Sequence, residues 1–194
     1  MEFFYMKATT GLIIAVIIVL LIVFVFPIMV KNGLIDKDES VSEGWKQIDT
    51  QLQRRADLIP NLLATVKGYA TQEKEVFTYV ADARSKLLSA RGPKATAVAS
   101  GMLNGALGRL MAISEKYPDL KANTNFIRLQ DELAGTENRI AVARTRYNRL
   151  VKTFNASIRK FPGHLFAAKL DLEKAEYYEP PNKVAIQTVP EVKF

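Results

Sequence analysis

The chain has 194 residues, no cysteine and a single histidine, His164, and its 27 Lys and Arg outweigh its 20 Asp and Glu to give a net charge of +7. The missing cysteines exclude disulfide frameworks, thiolate nucleophiles and zinc–sulfur sites, and a lone histidine excludes a metal site built on several imidazoles. Glu2 and Lys7 cancel, so residues 31–194 carry the whole charge of +7, over a length suited to one helical domain rather than two large ones.

Ala8 to Val30 contains no charged side chain. As a helix it would be about 34 Å long, enough to cross a hydrocarbon core of about 30 Å. The run exceeds the usual secretory core of about 7–15 residues and closes on Phe24-Val25-Phe26-Pro27-Ile28-Met29-Val30, which offers no small-residue cleavage site. It has no polar face of the kind a soluble core helix shows. The expectation is an uncleaved single-pass helix over 8–30 after a short segment, 1–7. Phe3, Phe4 and Tyr5 would lie at one interface of the lipid bilayer and Lys31 would mark the other. Lys31, Lys37 and Lys46 outnumber Lys7 and the α-amino group. That bias places the body on the cytoplasmic side of a bacterial-type cell membrane, with the N-terminus outside.

Residues 40 to 90 show a long helical pattern. Val41, Trp45, Ile48 and Leu52 begin a stripe that continues through Ile59, Leu62, Val66, Tyr69, Val76, Val80 and Leu87, a repeat of the coiled-coil kind. Ser40 or Ser42 could cap its start, with Glu43 three residues after Ser40 as a capping-box partner. Pro60 removes a backbone donor, which predicts a kink or break near Asp57–Asn61. Gly92-Pro93 ends the segment. From Lys94 to Lys116 a helix with a small-residue face (Ala95, Ala97, Ala99, Gly101, Gly105, Ala106, Gly108) could approach a neighbour closely, and Tyr117-Pro118 stops it.

Lys121 to Phe161 is the strongest pattern. Phe126, Leu129, Leu133, Thr136, Ile140, Ala143, Tyr147, Leu150, Phe154, Ile158 and Phe161 follow steps of three and four, over about 60 Å of helix. It should return antiparallel to the first long segment. Pro162-Gly163 breaks it, His164 to Glu176 suits a short helix, and Tyr177 to Phe194, with Pro180, Pro181 and Pro190, reads as an extended tail laid on the bundle or on a neighbour. The predicted fold is all-α: a transmembrane helix, an elongated antiparallel helical bundle over 31–176 and an extended tail over 177–194.

These residues carry a resemblance. Trp45-Lys46-Gln47-Ile48-Asp49, Gln51 to Leu62 (with Arg54-Arg55-Ala56-Asp57-Leu58-Ile59-Pro60-Asn61) and Val66-Lys67-Gly68-Tyr69 resemble the LemA family. Tyr117-Pro118-Asp119-Leu120-Lys121-Ala122-Asn123, Phe126, Leu129-Gln130, Leu133 and Thr136-Glu137-Asn138-Arg139-Ile140 do so too, as do Tyr147-Asn148, Asn155, Ile158-Arg159 and Phe161-Pro162. The resemblance covers nearly the whole chain and is most specific at Arg54–Asn61. It implies one N-terminal membrane helix before a helical bundle, with the short N-terminus outside, and it implies no reaction. Where many members have a histidine before the glutamate at Glu73, this chain has Gln72, which weakens a metal or proton-transfer role there.

Two polar clusters stand out. Arg54, Arg55, Asp57 and Asn61 lie beside Pro60. Arg54 and Asp57 could form an i,i+3 pair along one helix, or an arginine could span to the third helix or a neighbouring subunit and set register. Arg139, Arg144, Arg146, Arg149, Lys152, Arg159 and Lys160 form a run with no acidic residue between them. It suits a solvated face, or an anion-binding strip for lipid headgroups or an acidic partner. Nucleic acid is disfavoured, because no recognition motif accompanies the charge. No Glu-x-x-His pairs, Gly-rich phosphate loop or activated serine is present. The expected protein is non-enzymatic and without a cofactor, a self-assembling or scaffolding protein at the membrane. A homo-oligomer is expected because a thin hairpin would leave apolar stripe uncovered at Trp45, Phe77 and Phe126.

Overall fold

A computed structural model describes residues 11–179, apart from 12 and 15. The expectations for segment 1–7, including Phe3, Phe4 and Tyr5, for Ala8, and for the tail from Pro180 onward lie outside the described residues. Helices make up the described structure, with no strand among the described residues. A π-helical turn, Leu21–Val25, precedes α1 (Phe26–Lys67), followed by α2 (Lys74–Ser89), α3 (Gly92–Ser114), a single turn α4 (Pro118–Lys121), α5 (Thr124–Arg159) and the short α6 (His164–Ala167) with a 3-10 turn to Leu170. The chain divides into two compact units. One holds the described residues up to Ser42 with Leu150–Ala175, and the other holds Glu43–Arg149 with the described residues from Glu176.

The apolar run and the body share one helix. Val16–Lys67 is helical over 52 residues, so no helix begins at Ser40 or Ser42. The Ser40 hydroxyl donates instead to the Asp36 carbonyl one turn back. Extending a helix is cheap once it is nucleated, and residues 31–40 contain only Gly33 as a weak point. Pro27 is accommodated by the π-turn before it, where Phe26 N–H donates to Leu21 O. The wider turn relieves the clash between a proline ring and the carbonyl four residues back. Most of the described apolar side chains of this run are exposed, Phe24 at 62% and Met29 at 68%, with Pro27 and Val30 half-covered.

Pro60 does not break α1. Its missing N–H orphans the carbonyl of Ala56, and the Arg84 guanidinium of α2 supplies the replacement donor, Nε to Ala56 O at 2.7 Å. Arg84→Met should therefore cost about 1.5–3 kcal/mol in chemical denaturation, the range for a hydrogen bond to a charged group. The break falls later, at Gly68 to Glu73, where Tyr69 and Ala70 N–H both turn back onto Val66 O. The long segment read over 40–90 is thus two helices.

In the second unit α2 packs on α3. The close-packed face of α3 is Ala97, Ala99, Ser100, Leu103, Ala106, Leu107 and Leu110. Gly105 and Gly108 point away from it, with open space where a Cβ would stand. The alanines, not these two glycines, make the small-residue contact. Asn123 caps α5, its Oδ1 accepting from the Asn125 and Phe126 N–H groups, and its amide holds the Tyr69 hydroxyl. Along α5 the buried positions are Phe126, Leu129, Leu133, Thr136, Ile140, Tyr147, Val151, Phe154 and Ile158, so the stripe passes through Val151 rather than Leu150 and does not extend to Phe161, which is exposed. The helix expected over His164–Glu176 ends by Leu170.

The apolar surface invoked for oligomerisation is covered within one chain. Phe77 and Phe126 are buried, and Trp45 is half-covered, its ring against Tyr147 and Tyr178. The short helices α2 and α3 cover a stripe that a two-helix hairpin would have left bare.

Candidate functional site

Four contacts set the register of α1 against α5 in the second unit. Arg55 pairs with Glu137, Arg139 Nε donates to Gln51 Oε1 at 3.1 Å, Arg146 donates to Gln47 at 3.4 Å, and the Trp45 ring meets that of Tyr147 at 5.6 Å in a tilted contact. As the number on α1 falls the number on α5 rises, so the helices are antiparallel.

Of the first candidate cluster only Arg55 turns inward; Arg54, Asp57 and Asn61 are exposed. Arg54 and Asp57 do not form the expected i,i+3 pair. Asp57 Oδ1 accepts instead from Gln53 Nε2 at 2.8 Å, a partner one turn back on the same face. Arg55 spans to α5, with 7% of its side chain exposed against 44% for Glu137. Its Nε is buried and has no hydrogen-bond partner among the described residues. A guanidinium this deep depends on its one carboxylate.

The basic run does not form a single strip. Arg139, Arg144, Arg146 and Arg149 belong to one unit, and Lys152, Arg159 and Lys160 to the other. Stepped at about 100° per residue, their positions spread over most of the arc of α5 that the core stripe leaves free. Arg144 is half-buried and the rest are exposed. Between Arg139 and Arg146 stands Val142, 71% exposed, in a shallow groove with Gln47, Gln51 and Asn138.

The densest polar arrangement lies elsewhere, where residues 176–179 run in extended form. Tyr178 N–H donates to Asn148 Oδ1 at 2.9 Å and Asn148 Nδ2 donates to Tyr178 O at 3.0 Å. The Tyr147 hydroxyl donates to Glu176 O at 2.8 Å, and Lys94 pairs with the Glu176 carboxylate at 2.9 Å. The Tyr178 ring is buried, 6.3 Å from Trp45. Burial pushes the Tyr147 phenol up to about 12, with the Glu176 charge adding to the shift. Burial also raises Tyr178, against a hydrogen bond from Ser100 and the Arg144 charge. Both phenols therefore stay neutral at neutral pH, and Tyr147 remains a donor to Glu176 O. Within the first unit a second asparagine clamps the backbone in the same way, with Asn155 Nδ2 on Ala175 O and Ala175 N–H on Asn155 Oδ1, both at 2.9 Å. Sequence reasoning missed Asn148 and Asn155 as a pair. Their signal was a separation of seven residues, two turns along one face of a helix.

Among the described residues no group of three or more His, Asp or Glu could hold a metal ion. His164 is exposed, its ring 6.3 Å from that of Phe161.

Comparison with known proteins adds the following. The model of the LemA family matches residues 44–194. Magnetosome proteins MamQ 1 and MamQ 2 of Paramagnetospirillum magneticum are each 26% identical over 174 residues, covering 76% of this chain and 64% of theirs. The chain thus spans a little under two thirds of those relatives. Magnetosome protein MamQ of Magnetospirillum gryphiswaldense is 25% identical over 199 residues, covering 89% of this chain and 73% of that one. Protein LemA of Metamycoplasma hominis is 26% identical over 150 residues, covering 77% of this chain and 68% of its own.

Proposed function

The chain belongs to the LemA family, and from that premise we propose that it is a non-enzymatic, single-pass membrane protein whose work is assembly beside the bilayer. The observation that carries the reading is the contrast along one helix. Among the described residues none of the apolar window is buried by the rest of the chain, while the same helix continues into a core closed at Ile48, Ile59 and Leu62. Exposed apolar surface on that scale needs a bilayer. The Lys31, Lys37 and Lys46 bias supports a cytoplasmic body.

Assembly is supported by the side of α5 that borders α1, where Arg139 and Arg146 also reach Gln51 and Gln47. Asp131, Gly135, Arg139, Val142 and Arg146 form one stripe at steps of three and four. Laid antiparallel about a dyad between Asn138 and Arg139, two copies bring the exposed Val142 against Gly135 and Arg146 against Asp131, each contact made twice. That self-complementarity is what an isologous dimer requires. Divided between two units, the run Arg139–Lys160 gives less support to a single strip for anionic lipid or an acidic partner.

Light scattering of the full chain in detergent micelles tests the dimer. Wild type should have the mass of two copies, and Asp131→Arg or Arg146→Asp alone should shift it towards one. The two changes together should restore the pair with its charges exchanged. A monomeric wild type, or a double variant no better than either single one, overturns the reading.

A further inference from the structure

In the unit built from the described residues up to Ser42 and Leu150–Ala175, the large apolar side chains exposed outside the apolar run are Ile35, Phe161 and Leu165. Phe161 is 74% exposed and Leu165 52%, which leaves two bare apolar groups on one five-residue corner, Phe161-Pro162-Gly163-His164-Leu165. The corner is held against α1. Gly163 is buried, and a Cβ added there would meet the Leu34 side chain at 3.3 Å and the Ser157 carbonyl oxygen at 2.1 Å. Only glycine lets the corner close this tightly.

Leu34 lies four residues beyond Val30, the last residue of the uncharged run, or about 6 Å along the helix. A headgroup layer is about 5–7 Å thick on each side of the hydrocarbon. The corner therefore sits at the height where α1 leaves the lipid. Exposed Arg159, Lys160 and Lys169 flank it. Asp36, Asp38 and Glu39 come further up α1, away from the apolar run. An aromatic ring and a leucine beside three cations, level with a bilayer surface, match the chemistry of an interfacial contact.

We propose that the Phe161–Leu165 corner is a second membrane contact, with Phe161 and Leu165 set into the headgroup layer where α1 emerges and Arg159, Lys160 and Lys169 facing lipid phosphates. The inference rests on the reading of the apolar run as a membrane span. The protein then touches the bilayer at both ends of its helical return, once through the anchor and once through this foot.

The chain contains no cysteine, so single labels can be placed without a background. Phe161→Cys, Leu165→Cys, Ile127→Cys and Val23→Cys are each labelled with an environment-sensitive fluorophore; Ile127 is exposed and lies outside the proposed dimer stripe. The full chain is then reconstituted in phosphatidylcholine–phosphatidylglycerol vesicles carrying lipid-bound nitroxide quenchers at headgroup or mid-chain depth. Labels at 161 and 165 should be quenched several-fold more by the headgroup nitroxide than the label at 127, and their emission should shift to the blue. The label at 23 should respond to the mid-chain nitroxide. Quenching at 23 with no excess at 161 and 165 over 127 overturns the foot and leaves the anchor standing. No quenching at 23 overturns the anchor itself, and the foot falls with it. Phe161 and Leu165 are exposed, so their replacement leaves the core intact.

Discussion

Glu137→Ala is expected to destabilise the protein by about 2–4 kcal/mol, although more than a third of the glutamate side chain faces water. The cost arises on the other side of the pair. Arg55 is buried and has one nitrogen already without a partner among the described residues; loss of the carboxylate strands its charge in the core. Replacing both residues together, as Arg55→Leu with Glu137→Leu, should recover most of that loss, because no charge is left behind and the new side chains fill apolar space. Urea unfolding of the full chain in micelles, read as a double-mutant cycle, supplies the test. A double variant as unstable as Glu137→Ala would mean that the pair is not the source of the penalty.

The second large effect belongs to the extended segment. Tyr178→Ala removes a buried aromatic ring, which costs about 3–5 kcal/mol in a closed core, and it also strips one face of Trp45. Asn148→Ala keeps the ring but leaves the Tyr178 N–H and C=O without their clamp, at about 1–3 kcal/mol for polar groups left unpaired. Trp45 is the sole tryptophan, so its emission reports this corner directly. Both variants should shift it to the red at denaturant concentrations where the helices persist, and Tyr178→Ala should shift it further. An unchanged Trp45 spectrum in Tyr178→Ala would show that the segment does not lie on the indole in solution.

Much of the architecture was readable from pattern because its cause is local. The uncharged stretch and most of the three-and-four stripe of α5 depend on residues near one another in sequence, whereas Gly92-Pro93, read as a stop, opens the next helix after α2 has ended at Ser89. What escaped depends on residues far apart. Pro60 looked like a break because its lost hydrogen bond is visible in sequence, whereas the replacement donor stands 28 positions from Ala56, on Arg84. Gly68 looked innocuous because the apolar repeat runs past it, yet the chain turns there. Arg54, Arg55 and Asp57 are equally charged in a string of letters, and only the helical phase puts Arg55 alone beneath the surface. The exposed stripe inferred at Phe77 and Phe126 came from treating the body as two helices, when α2 and α3 supply the missing cover. Asn148 and Asn155 were the least visible, because an asparagine that holds a distant backbone has the same composition as one that faces water.

The account stands or falls on whether the apolar run is embedded in lipid. Membranes from cells making the full chain can be washed at strongly alkaline pH, which strips proteins held only by surface charge. The chain should remain with the sedimented bilayers and be released only by detergent. Recovery of the intact chain in the alkaline supernatant would contradict a spanning helix, and with it the placement of everything that follows Val30.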